Sequence, residues 1–207
     1  MENEIEEKSI ISGHTAYKGL TVQQNPNFYS VLKEFLLLAK PAQVLEIGTA
    51  GGGFTLAVRD ILNEIGLEAT PIKSFDVFDS PYYDRLRDNN IEVIIENIFD
   101  HSYLNLEKPE KIVPYIQREG TTVVFCDGGH KIGEFNMIAP LIKRGDHILA
   151  HDYIDTWENY LNNFLGKIWD WCEIEEKYIE EVSQKENLVP FYQEEFSQVV
   201  WVSKIKQ

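Results

Sequence analysis

Cysteine is nearly missing from this chain. Its 207 residues include two, Cys126 and Cys172, far apart and in no metal-ligand spacing, which excludes a disulfide framework and a zinc ribbon. Long apolar runs are missing as well: the stretch 35–39 is among the longest and is far too short to cross a bilayer. The first residues read MENEIEEK, acidic and without an apolar core, so no signal peptide is expected. Basic residues are scarce, 19 Lys and Arg against 34 Asp and Glu, for a net charge of −15. Such a balance repels phosphate backbones and anionic lipid, so no nucleic-acid partner, no membrane partner and a cytoplasmic location are expected. No internal repeat, low-complexity tract or Pro/Gly/Ser linker divides the chain. Residues 1–207 therefore read as one domain, with 1–18 as a flexible or partner-contacting segment.

Composition is that of an ordinary globular protein, 43% apolar and 26% charged, and the length suffices to bury a core without cross-links. Charge is uneven. Residues 170–195 hold nine carboxylates against Lys177 and Lys185, which reads either as a surface for a cationic partner or, more simply, as a solvated face.

Helical and strand patterns alternate. Phe28, Val31, Leu32, Phe35 and Leu36 have the spacing of an apolar helical face and predict a helix over 27–39. Further helices are predicted over 55–65, 82–89, 108–117, 134–141 and from 157 to about 171. Strands are predicted over 43–47, 72–77, 92–95, 122–126, 147–150 and 198–203. Strands that are apolar throughout are buried on both faces. The alternation thus predicts an α/β fold, a doubly wound and mostly parallel sheet with helices on both faces. Ligands of such sheets sit beyond the carboxyl ends of the strands, so the residues that end each strand are the candidates for a site.

The first strand runs into Glu46-Ile47-Gly48-Thr49-Ala50-Gly51-Gly52-Gly53, a turn whose backbone N–H groups can approach a ligand closely. A nicotinamide fingerprint needs glycine where Ala50 stands, and the Gly-Lys-Ser/Thr of a P-loop is absent. Glu46 would repel a pyrophosphate but suits an ammonium group. The second strand ends at Asp76, an acid that can accept the hydroxyls of a ribose, with Asp79 as competitor. The third ends at Asn97, an amide able to read an adenine edge. The fourth ends in Asp127-Gly128-Gly129-His130-Lys131 and the fifth in His151-Asp152. Two carboxylates and an imidazole can bind a divalent cation, and His130 can take a proton near neutral pH. These residues leave three readings open: a group transferase, a nicotinamide oxidoreductase, and a binding protein that has the fold without the chemistry.

VLEIGTAGGGFTL, FCDGGHKIGEF and the Gly145 turn before ILAHDY resemble class I S-adenosylmethionine-dependent methyltransferases. They are most similar to the small-molecule O-methyltransferase group that includes cephalosporin-hydroxylase-like and sugar O-methyltransferase-like proteins. The resemblance covers about 19–153. It implies a Rossmann-like fold whose last strand is antiparallel, and S-adenosylmethionine as cofactor. Glu46, Gly48, Thr49, Gly51, Gly52 and Gly53 would line its methionine, Asp76 its ribose, and Asn97 with Ile98 its adenine, with Asp127 also beside it. In metal-dependent relatives the places of Asp127, His151 and Asp152 hold a cation. His151 favours Mn²⁺ or another borderline ion over Mg²⁺ and leaves a metal-free site open. The relatives' lysine base corresponds to His130, followed by Lys131. The implied partner is a small hydroxylated substrate, such as a sugar or natural product; a homo-oligomer stays open. Tyr82, Tyr83, Trp157 and Tyr160 could wall an acceptor site, but aromatics at helical spacing read more often as core. The Asn-Pro-Pro-Tyr type of motif for nucleobase amines is absent after the fourth strand.

Overall fold

The computed structural model describes residues 5–6 and 15–207. The chain runs β1 (Ile5–Glu6), β2 (Thr15–Tyr17), β3 (Leu20–Val22), α1 (Phe28–Ala39), β4 (Gln43–Ile47), α2 (Gly53–Glu64), β5 (Ile72–Asp76), α3 (Tyr83–Asp88) and β6 (Ile91–Ile95). It continues through α4 (Pro109–Ile116), β7 (Thr122–Cys126), α5 (Lys131–Ile138), β8 (His147–His151), β9 (Tyr153–Ile154) and α6 (Trp157–Asn159). The last elements are β10 (Ile174–Glu175), α7 (Glu180–Lys185), β11 (Leu188–Pro190), α8 (Gln193–Ser197) and β12 (Trp201–Lys206). Among these described residues, no helix is long and apolar enough to cross a membrane.

Seven strands form the central sheet in the order β11-β12-β8-β7-β4-β5-β6. β6, β5, β4, β7 and β8 are parallel, and β12 is antiparallel to β8. The expected doubly wound sheet with an antiparallel last strand is thus present. Alternate side chains leave β4 on opposite faces. Val44 joins Phe35, Ile61, Val123 and Phe125 in one core layer, and Leu45 joins Ile112, Ile116, Val124 and Phe135 in the other. Both faces are therefore covered, and each central strand has to be apolar along its length.

Winding proceeds from β4 outward to β6, then returns across the sheet to β7 and β8. The reversal lies between β4 and β7, whose last residues Ile47 and Cys126 are paired. Cys126 in turn pairs with Ala150 of β8, and Ile47 with Phe75 of β5. This register brings Gly48, Asp76, Asp127 and His151 to one rim.

The chain departs from expectation mainly after β8. The helix predicted from 157 to about 171 is one turn, α6, continued by a π-helical stretch Tyr160–Phe164. Phe164 then accepts the N–H groups of Lys167, Ile168 and Trp169, which closes the helix and directs Trp169 back to Asp152. The last strand begins at Trp201 rather than at 198, because Gln198 and Val199 donate to carbonyls of α8. A second antiparallel strand, β11, borders β12, and the β2–β3 hairpin was not foreseen. The acidic stretch 170–195 is largely folded: Glu173, Glu175, Glu176 and Glu186 pair with Lys131, Lys177, Lys204 and Lys206. Of the expected N-terminal segment, residues 1–4 and 7–14 lie outside the described residues, whereas 15–17 form β2.

One buried base makes the fold pH-sensitive. His147 in β8 is enclosed by Phe35 and Phe191, at ring distances of 5.3 and 4.6 Å, and burial pushes its pKa down to about 4. The unfolded imidazole titrates near its ordinary value, so below about pH 6.5 the unfolded state gains a proton that the folded state refuses. Stability from this group is complete above that value and falls as pH drops towards 4, by on the order of 3 kcal/mol. Urea unfolding of His147→Leu should therefore depend less on pH between 7 and 4.5 than that of the parent. Equal slopes would assign the acid sensitivity to other groups.

Candidate functional site

β4 ends where two strand ends nearly touch. Gly48 has φ +95°, and a Cβ on it would lie 2.3 Å from the Asp127 carbonyl oxygen, so only glycine fits. The backbone N–H of Gly48 donates to Phe75 and that of Asp127 to Ile47, each at 2.8 Å. The turn then opens α2. Its first turn lies under β3: a Cβ on Gly51 or Gly53 would meet the Thr21 carbonyl oxygen at 2.6 Å. Leu20's carbonyl oxygen is 2.9 Å from the same point on Gly53. The N–H of Ala50 donates to Asp76 Oδ2 at 2.7 Å, and Phe78 donates to Oδ1.

Above this turn opens a cleft of about 680 Å³, well within the range of small-molecule sites. Gly48, Thr49, Gly51, Asp76, Asn97, Ile98, Asp127, Lys131, His151 and Asp152 line it, as expected of a site at the strand ends. Asp79 does not, which separates it from Asp76. Asn97 Oδ1 accepts the Phe99 N–H, leaving its NH₂ group for a ligand. Gly52 and Gly53 build the start of α2 and are not part of the wall. Glu46 is not part of the wall either: it is 2% exposed. Its Oε2 accepts Thr55 Oγ1 at 2.8 Å and a close bond from Ser74 Oγ. Burial, partly offset by those two bonds, pushes its pKa up to about 8. This carboxyl supports the turn from inside the sheet.

The far rim is a cluster of charges. Asp127 Oδ2 accepts Gln24 Nε2 at 2.8 Å, and Gln24 Oε1 accepts the Trp201 indole at 2.7 Å. Asp127 Oδ1 is 3.2 Å from His151 Nδ1. The His151 ring lies between Trp169 and Trp201, and its Nε2 is buried without a partner among the described residues. Asp152, in the left-handed region with φ 59°, accepts the Trp169 indole at 2.8 Å. One ligand atom each from Asp127, His151 and Asp152 lies within 4.8 Å of the others. This donor set of two carboxylates and an imidazole, whose Nδ1 faces both Asp127 and Asp152, fits a borderline divalent ion. Lys131 Nζ stands among the same groups, 3.1 Å from Asp152, 3.4 Å from Glu173 and 3.8 Å from Asp127. Burial works against its charge, but the three carboxylates outweigh it and hold the ammonium well above the usual lysine range.

His130 is placed otherwise than the sequence suggested. It is exposed, lies outside the cleft wall, and caps α5, with Nδ1 accepting the Gly133 N–H at 2.9 Å. Its ring stacks on Tyr103 at 4.9 Å. Glu134 completes the cap by accepting the N–H groups of Gly128 and His130, the reciprocal arrangement that secures a helix start. Of the four aromatics weighed for an acceptor wall, Tyr83 and Tyr160 are buried in the core, the reading favoured for them, and Tyr82 and Trp157 are exposed and outside the cleft wall. Tyr103, Trp169 and Trp171 line it instead. Gln24, Trp169 and Glu173 were missed. The only available sign was the Trp-Asp-Trp run at 169–171, dense in aromatics for a loop.

No family model matches this sequence, and no curated protein does. Solved structures do resemble it. The apo structure of CmcI superposes with a TM-score of 0.63 at 17% identity, covering 92% of this chain and 75% of that one. A Mg-SAM structure of CmcI gives 0.56 at 15%, covering 92% and 76%. An O-methyltransferase family protein from Burkholderia thailandensis gives 0.54 at 12%, covering 87% and 55%. At such identities the likeness is one of fold.

The contact at Gly48 is open to a direct check. Gly48→Ala forces a Cβ into the backbone of Asp127 at a positive φ, and should lower stability in urea by about 2–4 kcal/mol. A variant as stable as the parent would mean that the two strand ends can separate freely.

Proposed function

We propose that this chain, whose fold is that of the class I S-adenosylmethionine-dependent methyltransferases, moves a methyl group from S-adenosylmethionine to a hydroxyl of a small metabolite, such as a sugar or natural product. One observation carries the choice of cofactor. A dinucleotide places its pyrophosphate on the free N–H groups of a helix N-terminus. Here the carbonyl oxygens of Leu20 and Thr21 crowd that end of α2, and they repel an anion. The cleft wall carries Asp76, Glu96, Asp127, Glu134, Asp152 and Asp170 against Lys131, a field suited to a cationic sulfonium. In this reading Gly48, Thr49 and Gly51 follow the methionine, Asp76 takes the ribose hydroxyls, and Asn97 with Ile98 flanks the adenine.

Transfer is an in-line displacement at sulfur, so the protein's task is to hold the acceptor oxygen on that axis and ease loss of its proton. Trp171, 64% exposed on the cleft wall, offers a face for the acceptor. A divalent ion, when bound, would be held by Asp127, His151 and Asp152 and would acidify the acceptor hydroxyl. Lys131 is held protonated and acts as a fixed positive charge on the same wall rather than as a base. Of the residues assigned to proton removal, His130 retains Nε2, from a position beside the cleft.

Calorimetry tests the cofactor. S-adenosylhomocysteine should bind, and Asp76→Ala should weaken it by about 1–3 kcal/mol through loss of the ribose hydrogen bonds. Binding of NADH without binding of S-adenosylhomocysteine overturns the reading. Binding with no methyl transfer across a panel of hydroxylated sugars and phenols supports the non-catalytic alternative instead.

A further inference from the structure

The three candidate metal ligands are not alone. Lys131 is the first residue of α5, and its helix start is fixed by Glu134 on one side and by Glu173 on the other. The backbone N–H of Lys131 donates to Glu173 Oε1 at 2.6 Å. From that anchor the side chain, 8% exposed as a residue, reaches the Gly128 carbonyl at 3.1 Å and the carboxylates of Asp152, Glu173 and Asp127. The ammonium thus contacts the two carboxylates that a divalent ion needs, and it lies too close to them for both cations to be accommodated without strong repulsion. Glu173 belongs to neither the sheet nor the metal trio. Its Oε2, already 3.4 Å from Nζ, offers the ammonium a second seat away from Asp127 and Asp152.

We propose that Lys131 is the resident counter-cation of Asp127 and Asp152, and that a divalent ion enters this site only by displacing its ammonium towards Glu173. The chain then carries a built-in competitor that sets its metal affinity. The importance of the site for turnover rests on the proposed function, but the competition itself does not, because it takes place without cofactor or acceptor. The inference follows from packing: a lysine buried among three carboxylates offsets one of their charges and fills the space between them, so a second cation has to displace it.

Binding of Mn²⁺ alone to the full chain, followed by electron paramagnetic resonance, tests this without cofactor. Lys131→Met should bind one Mn²⁺ about tenfold or more tighter than the parent, since a like charge at contact with the incoming ion is removed. Lys131→Arg should stay close to the parent. Lys204→Met serves as the control, because Lys204 is also buried and ion-paired, with Glu176 at 2.6 Å, but is not part of the cleft wall. Equal affinity of parent and Lys131→Met overturns the proposal. So does a gain in Lys204→Met as large as that in Lys131→Met, or no binding to any of the proteins. Should Lys131→Met fail to fold, the parent itself decides. At Mn²⁺ concentrations where resonance shows the ion bound, labelling of Lys131 by an amine-reactive reagent, read by mass spectrometry, should rise severalfold. Unchanged labelling with the ion bound overturns the displacement. A parent that binds no S-adenosylhomocysteine yet shows this competition would sink the proposed function and leave this inference standing.

Discussion

The carboxylate of Asp127 ties together parts of the chain that no local interaction could join. It sits at the end of β7, against Gly48 at the end of β4, and its two oxygens are taken by Gln24 and by His151, with Lys131 at 3.8 Å. Gln24 in turn holds the indole of Trp201 in the last strand. One side chain therefore links the segment after β3, the switch point of the sheet, the start of α5 and the antiparallel edge. A half-buried charge is held in place by such pairing and hydrogen bonding, so each of these elements has to arrive in register for the contacts to form together.

The same requirement orders the rest of the cleft. Burial raises the pKa of Glu46 to about 8 and of Glu134 to about 7; Glu46 accepts from Thr55 in α2 and Ser74 in β5, and Glu134 from the N–H groups of Gly128 and His130. Carboxylates at the rim are met by cations. Glu96 is met by Lys108 and Lys111, and Asp152 by Lys131. Glu46, the acid before the glycine turn, is buried and is not part of the cleft wall.

The apolar strands, the glycine turn and the acids at the strand ends were legible in the sequence because each is a local necessity. A strand covered on both faces must be apolar throughout, and a parallel sheet delivers its strand-end residues to one rim whatever the helices do. Asp76, Asp127, His151 and Asp152 could be placed at the rim for that reason. The residues beyond β8 were not legible. Their course depends on Trp169 reaching Asp152 and on pairing between β11 and β12, contacts between residues whose spacing carries no periodic signal. Gln24 and Glu173 were invisible for the same reason: their partners are distant along the chain.

What the sequence determined by itself was the layering of the fold, the place of the cleft and the chemical types around it, since hydrophobic period and strand-end position are properties of short stretches. What the tertiary structure alone decided was orientation. His130 and Lys131 are adjacent, yet the first caps a helix outside the cleft while the second enters it and takes a place among the carboxylates. That choice is made by the direction in which α5 leaves the sheet, held by Glu134 from within the helix and by Glu173 from a segment more than 40 residues away. Neighbouring side chains at a helix start point in different directions, and only the packing of the whole domain fixes which of them faces the ligand.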